Sequence, residues 1–355
     1  MRHPCLIPCL PALGAALLLA ACGGEGGSGE RATSAAAPAF SLSYTSSSTT
    51  LMSPEQNPRA MAGYPDLGNT GYANSALKFL IHSIGPQRLT RHLGEFAQRS
   101  DKPHQAAAQG WIQLIENTYS EREPTPQELT DFFNSLQQLP EFKDFTIVGT
   151  QDAEGFMTAL SQSLALHEIN AGSIALRDGS NASKSDGQYW TTLQSASSDD
   201  SLQAVFDRTP PADWRFEPRK GPQYLTVKLD DSHHAAPSHR NFDFNQTVQL
   251  QITNGDLTET LVLEPREVMA FSGIDNAGHY VFYAKDAQWV RYDDEQVTVL
   301  TQMPSIENVR FINFVIQSVE SRSETSSGAA PAIKMPVLRF GSDPKEEFPA
   351  WNPPR

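Results

Sequence analysis

Cysteine is nearly absent from this chain of 355 residues: Cys5, Cys9 and Cys22 are all it has, and no thiol follows residue 22. That excludes a disulfide framework, a cysteine-ligated zinc site and thiol catalysis anywhere in the body of the chain. Basic residues are also scarce, with 27 Lys and Arg against 41 Asp and Glu and a formal net charge of −14. A protein that grips nucleic acid needs a basic face to neutralise phosphates, so no nucleic-acid partner is expected. Long apolar runs are missing too. The most apolar stretch, Leu6 to Ala21, falls short of the ~20 residues that span a bilayer as a helix.

What that stretch does fit is export. Arg2-His3 gives a basic start, the apolar run follows, and small residues precede Cys22, the pattern of a secretory signal. The ending Leu19-Ala20-Ala21-Cys22 resembles the bacterial lipobox, in which the cysteine is lipidated and becomes the first residue of the mature protein. An ordinary cleaved signal with an incidental cysteine is the alternative. The expectation is a signal peptide over 1–21, Cys22 as the lipidation site, and a protein anchored by lipid to a membrane of the bacterial cell envelope. Residues 22–59 are rich in Gly, Ser, Ala and Thr, too poor in apolar surface to offset the entropy of ordering. They read as a tether, and 323–355, Pro-rich at its end and carrying Trp351, as a flexible tail. The globular domain is then 60–322, without an internal repeat.

Periodicity divides that domain. Ala73, Ala76, Leu77, Leu80, Ile81 and Ile84 recur at helical spacing and predict a helix. A second, over 104–119, carries Trp111, Leu114 and Ile115. Thr125-Pro126-Gln127-Glu128 is a helix start: a capping hydroxyl, proline at the first helical position, and a glutamate three residues after the cap. A fourth helix is expected from about Asp152 to Leu166. The second half alternates with period two instead, over 224–229 and 248–252. Asn254-Gly255 is a strong hairpin signal, and strands follow at 260–263, 279–283, 289–292, 296–300 and 311–319. Helices first and strands later predict an α+β domain, with a cleft between its lobes as the default site.

Two segments carry chemistry. Gly63 to Leu77 is a Gly-rich loop opening into the first helix, where free backbone N–H groups and the helix dipole favour an anion or a thiolate. Taken alone it reads better as a helix cap with turn glycines than as a site. His279 and Asp293 fall on neighbouring strands of a hairpin, the placement by which a carboxylate fixes an imidazole's tautomer. Taken alone they are equally a cross-strand pair without catalytic purpose.

Together these segments resemble the catalytic domain of ubiquitin-specific proteases. That family has a Gly-Asn-Thr-Cys-Tyr-Met-Asn-Ser box, which Gly68 to Ser75 matches except at two positions. Its Gly-His-Tyr box followed by Trp and Asp-Asp is matched by Gly278-His279-Tyr280, Trp289 and Asp293-Asp294. Gln151-Asp152-Ala153 resembles its Gln-Asp-Ala box, and Tyr224 to Leu229 with Phe242 to Phe244 its Leu-rich strand and following loop. The resemblance covers about 63–319. It implies a papain-like fold, a helical lobe followed by a mainly antiparallel sheet lobe, and the extended tail of ubiquitin or a ubiquitin-like protein as partner. No zinc-ribbon fingers are expected, because Trp214 to Gly221 bridges the place of that insertion. The site positions it implies are Gly71 for the nucleophile, Asp66 for the oxyanion, His279 for the base and Asp293, beside Asp294, for its orienter. Gln151, Asp152, Gly278 and Tyr280 match positions that hold the peptide tail.

The departures shape the functional expectation. The family's nucleophilic cysteine falls on Gly71, which has no side chain, and its oxyanion-binding asparagine falls on Asp66, whose charge would repel an oxyanion. The glutamate of the Gln-Asp-Ala box is Gly155. Thr70 should point away from the nucleophile position, and Ser75 lies about 6 Å along the helix, so neither is expected to replace the cysteine. A pseudoprotease follows, with Gly71 leaving room for a peptide backbone. The alternatives are a hydrolase by a route without cysteine and an envelope lipoprotein using the fold as a scaffold. No cofactor and no metal site are expected. Asp230, Asp231, His233, His234 and His239 are irregularly spaced and read as a solvated loop, and the Asn181 and Asn245 glycosylation motifs carry no meaning in a bacterial setting.

Overall fold

Every residue from Gly71 to Ile81 is buried, which makes the first helix, α1 (Gly71–Ile84), the centre of its lobe rather than a surface element. The computed structural model describes residues 61–120, 122–143, 145, 152–169, 174–176, 190–195, 201–216, 224–230, 242–254, 257–274, 277–306 and 308–323. The signal, Cys22, the tether and the tail after Ser323, with Trp351, lie outside them. So do Gln151, Asn181 and, of the 230–239 group, all but Asp230.

Around α1 stand α2 (Pro86–Arg99), α3 (Lys102–Tyr119), α4 (Pro126–Leu136) and α5 (Ala153–Ser163). The sequence start signal of α4 forms as expected: Thr125 accepts from the Glu128 N–H while Glu128 reaches back to the Thr125 N–H. Such caps contribute about 1 kcal/mol each. Asp101 caps α3 and Asp152 caps α5 through side-chain oxygens. Periodicity alone passes over α2, although Pro86 opens it and Leu89, Leu93 and Ala97 repeat every four residues on its buried face. Its many polar residues masked a narrow apolar stripe. The helix expected to reach Leu166 ends at Ser163, where the chain turns through Ala165 in the left-handed region.

The second lobe is an eight-stranded sheet. Its strands are β2 (Thr191–Gln194), β4 (Tyr224–Asp230), β5 (Val248–Asn254), β6 (Leu257–Ile274), β7 (Ala277–Lys285), β8 (Trp289–Asp293), β9 (Gln296–Leu300) and β10 (Val309–Ser323). The order is β2-β4-β10-β6-β7-β8-β9, with β5 paired to the first part of β6. Among the described strands, β2 and β4 are the one parallel pair. Two short strands, β1 (Ile174–Leu176) and β3 (Trp214–Phe216), pair separately. A six-residue helix, α6 (Leu202–Asp207), packs with β4 and β5.

Strand alternation divides the apolar residues between two cores. Tyr280, Phe282 and Ala284 of β7 join the core of the helical lobe, while Val281 and Tyr283 join a second core with α6, β4 and β5. A polar chain through Glu267 crosses the lobe boundary. Glu267 on β6, 4% exposed, lies 2.6 Å from His82 Nδ1 on α1, and its other oxygen accepts from Asn313 at 2.9 Å. Asn313 in turn accepts from Thr226. Burial works against a charged His82, but Asp286 and Glu267 outweigh it and push the imidazole up to about 9. A buried carboxylate is tolerated because it is paired and hydrogen-bonded. Among the described residues no helix is long and apolar enough to cross a membrane.

Candidate functional site

The Gly-rich loop is organised by Asp66. Its Oδ1 accepts from the Gly68 N–H at 3.0 Å, the Thr70 N–H at 3.1 Å and the Thr70 hydroxyl at 3.2 Å. Those bonds hold Gly68 and Asn69 in the left-handed region, at φ 95° and 64°, and deliver the chain into α1. The Asp66 carboxylate, expected at the oxyanion position, is therefore engaged within its own loop.

One face of α1 then meets the ends of two hairpins. Gly71, Asn74, Ser75 and Lys78 lie at helical spacing along it. β7 and β8 pair from Lys285–Trp289 to Phe282–Tyr292, which leaves His279 and Asp293 facing one another beyond the last pair. His279 Nε2 stands 2.5 Å from Asp293 Oδ1 and 3.6 Å from Asp294 Oδ2. The orienting geometry expected for this pair is present. Arg291 holds the second oxygen of Asp293. Asp294 sits in the two-residue turn between β8 and β9 with φ 50°, a left-handed conformation that such turns require and Asp tolerates.

That turn is clamped from α1 and the segment before it. Asn74 donates to Asp294 Oδ1 at 2.7 Å, while the Asp294 carbonyl accepts from the Tyr64 N–H at 2.9 Å and Lys78 Nζ at 3.2 Å. Gly63 permits the approach, since a β-carbon there would collide with the Glu295 carbonyl. Burial raises the Asp294 carboxyl above its ordinary value, against the donation from Asn74. Lys78 is 1% exposed, its ammonium 4.7 Å from the centre of the Tyr64 ring and 5.1 Å from that of Tyr292. Burial pulls it down to about 7 against the attraction of Asp294 and its acidic neighbours.

Gly71 corrects one expectation. The room beside it is not free for a peptide backbone: a β-carbon on Gly71 would collide with His279 Cε1 and fall 2.6 Å from Nδ1. The imidazole fills that place. The hydroxyls considered as substitutes are turned elsewhere, Thr70 into the Asp66 loop and Ser75 onto the Tyr280 carbonyl at 3.0 Å.

The tail-contact positions form a second group. Asp152 Oδ2 accepts from the Gly155 N–H at 3.0 Å and Oδ1 from the Tyr280 hydroxyl at 3.2 Å. The carboxylate expected to face a basic tail thus already joins α5 to β7. Burial raises the Tyr280 hydroxyl well above its ordinary value, with Asp152 adding to the shift. The Phe271 ring crosses Gly278 so closely that a β-carbon there would fall 2.6 Å from Cε2. Sequence reasoning did not single out Asn74, Lys78, Arg291 or Phe271. The signal for the first two was their spacing from Gly71. Asn245, noted for a glycosylation motif, accepts from the Trp289 indole at 3.0 Å. Among the described residues, one group has three potential metal-ligating side chains with donor atoms within 4.8 Å of one another: His279, Asp293 and Asp294.

Comparison with known proteins agrees with this fold. The family model described as ubiquitin carboxyl-terminal hydrolase matches residues 62–327. No curated protein matches the sequence. Among solved structures, the SAGA Ubp8/Sgf11/Sus1/Sgf73 DUB module bound to ubiquitin aldehyde is similar at a TM-score of 0.52 and 12% identity, over 73% of this chain and 70% of that one. A form of the same module bound to monoubiquitin gives the same values. A yeast SAGA DUB module is similar at a TM-score of 0.50 and 12% identity, over 73% of this chain and 69% of that one. These similarities establish the fold, a helical lobe followed by a mainly antiparallel sheet.

Proposed function

This chain belongs to the ubiquitin carboxyl-terminal hydrolase family over residues 62–327, and from that premise we propose that it is a pseudoprotease that binds a ubiquitin-like tail without cleaving it. The observation that carries this reading is Gly71 at the helix start, with the imidazole of His279 where a nucleophile's side chain would begin. A histidine and its orienting aspartate without a nucleophile leave residual catalysis at most. Ubiquitin in the structures of similar fold supports a ubiquitin-like partner. Leu19-Ala20-Ala21-Cys22 supports a lipid anchor at Cys22 and a place in a bacterial cell envelope. Titration with ubiquitin and with a peptide ending in Gly-Gly tests the binding, and a fluorogenic ubiquitin substrate tests the absence of turnover. Saturable binding with no hydrolysis supports the reading, whereas turnover abolished by His279→Ala refutes it. Membrane fractionation of Cys22→Ala tests the anchor: a variant that stays with the membrane removes it.

A second reading rests on the same filled space. An envelope protein that keeps the fold only as a scaffold has no need for an open cleft beside Gly71. No binding of either ligand at millimolar concentration favours the scaffold.

A further inference from the structure

Arg310, the second residue of β10, stands beside the tail-contact group, and the ladder does not absorb it. Val309 pairs with Ala270 and Phe311 with Met269, so two steps along β10 meet one along β6. That is a β-bulge at Arg310, the irregularity by which a sheet re-aims one side chain. Val309 falls in one core and Phe311 in the other. The Arg310 guanidinium stands 5.9 Å from the centre of the Phe271 ring, and the Phe271 and Tyr280 rings are 5.0 Å apart. Tyr280 in turn donates to Asp152. We propose that Arg310 is a specificity residue of this group and reads a carboxylate on the peptide tail that the protein binds.

The negative charges at this group are already matched. Asp152 accepts from the Gly155 N–H through one oxygen and from the Tyr280 hydroxyl through the other. Glu154, in the first turn of α5, pairs with Lys228. Gly155 stands where the Gln-Asp-Ala box of the resembling family has a glutamate, so no carboxylate projects from there. The positive charge is not matched. Arg310 is partly buried, its Nε is shielded from solvent without a hydrogen-bond partner, and among the described residues no carboxylate pairs with the guanidinium. Buried donors in native proteins are paired with few exceptions, and a cation left open is one that a ligand's anion can satisfy. The charge also reaches the group: it acts to lower the Tyr280 hydroxyl, against burial and Asp152, which raise it.

A guanidinium is a planar fork that meets a carboxylate through two parallel hydrogen bonds. A tail with basic side chains would find a cation here in place of a free anion. The ligand expected is an extended peptide with an acidic side chain, or its own terminal carboxylate, opposite Arg310. This inference rests on the tail-binding reading and narrows it to a class of tail.

The test titrates the full chain by calorimetry with short peptides ending in Gly-Gly. One carries glutamate at alternate positions, its analogues carry glutamine or arginine there, and each is made as free acid and as amide. The glutamate free acid should bind at least about tenfold more tightly than the form that lacks the recognised carboxylate, and the arginine peptide should bind more weakly than the glutamate one. A loss on glutamine substitution assigns that carboxylate to a side chain, and a loss on amidation assigns it to the tail's end. In either case Arg310→Gln should erase the difference, and Arg310→Lys should keep part of it, because the charge remains without the fork. Equal affinity for all the peptides, or a preference for arginine, overturns this inference and leaves tail binding standing. Binding of none of them removes both. Arg310→Gln that lowers thermal stability while leaving the selectivity intact makes the arginine structural and also overturns the inference.

Discussion

The imidazole of His279 lies against Gly71 so closely that a β-carbon on the glycine would collide with Cε1 and come within 2.6 Å of Nδ1. The absence of a side chain at 71 and the position of the imidazole are thus one structural fact. A side chain at 71 and this placement of His279 exclude each other, so the glycine is a requirement of the present geometry.

Gly71→Ala measures that requirement. The added methyl must displace the imidazole and with it the contact to Asp293. The ring ends a side chain that is 39% exposed and can yield, so the cost is that of a partly exposed ion pair, about 0–1 kcal/mol. Denaturant unfolding should show a loss in that range, and the His279 ring resonances should shift. An alanine variant as stable as the parent, with unmoved resonances, would place the imidazole elsewhere.

The His82 network gives stability a pH dependence. The folded-state value of His82 is raised from its ordinary 6.5 to about 9 by Asp286 and Glu267, against burial. A raised value means that its contribution is fully present below about pH 6.5 and is lost as pH climbs through about 9. The amount is on the order of 3 kcal/mol. Unfolding curves at about pH 6 and pH 9.5 should differ more for the parent than for Glu267→Gln, which removes the buried charge facing His82. Equal differences would remove His82 from the account.

Much of this architecture was legible locally. The Thr125 to Glu128 box capped α4 as read, and His279 met Asp293 because hairpin register is set by neighbouring residues. What stayed hidden depends on distant parts. The parallel pairing of β2 with β4 joins residues 191–194 to 227–230 with no local signal. Lys78 reads in sequence as a solvated charge, yet α1 is enclosed on every side. The place of the His279 ring is a rotamer choice, set by the space Gly71 leaves, and no spacing rule reports it.

Lys78 yields a prediction from its burial. An ammonium taken out of water loses hydration that one carbonyl and two aromatic rings only partly replace. Its carbonyl partner keeps the Tyr64 N–H as a donor, so Lys78→Met orphans nothing at Asp294. The methionine fills similar volume, and the variant should be more stable than the parent by about 1–2 kcal/mol. A loss of stability in thermal unfolding would mean that the lysine's bond to Asp294 outweighs its desolvation.

The last prediction asks whether a thiol placed at position 71 reacts. Gly71→Cys places a thiol at the start of α1, where the helix dipole favours a thiolate. His279 stands in the way, but its side chain is 39% exposed and can swing aside far enough to admit the thiol while staying within reach of it and of Asp293, which Arg291 holds. Asp66→Asn removes the negative charge from the oxyanion position, although its Oδ1 must still accept from Gly68 and Thr70 to hold the loop. An asparagine oxygen can do so, which is why Asn suits the position better than Ala. The double variant should form a covalent adduct with a ubiquitin-based electrophilic probe, while Gly71→Cys alone reacts more slowly and the parent not at all. Adding His279→Ala should abolish the gain, because the thiol then lacks its base. A double variant that folds and binds ubiquitin yet resists the probe would show that the histidine cannot vacate the place it has taken over Gly71.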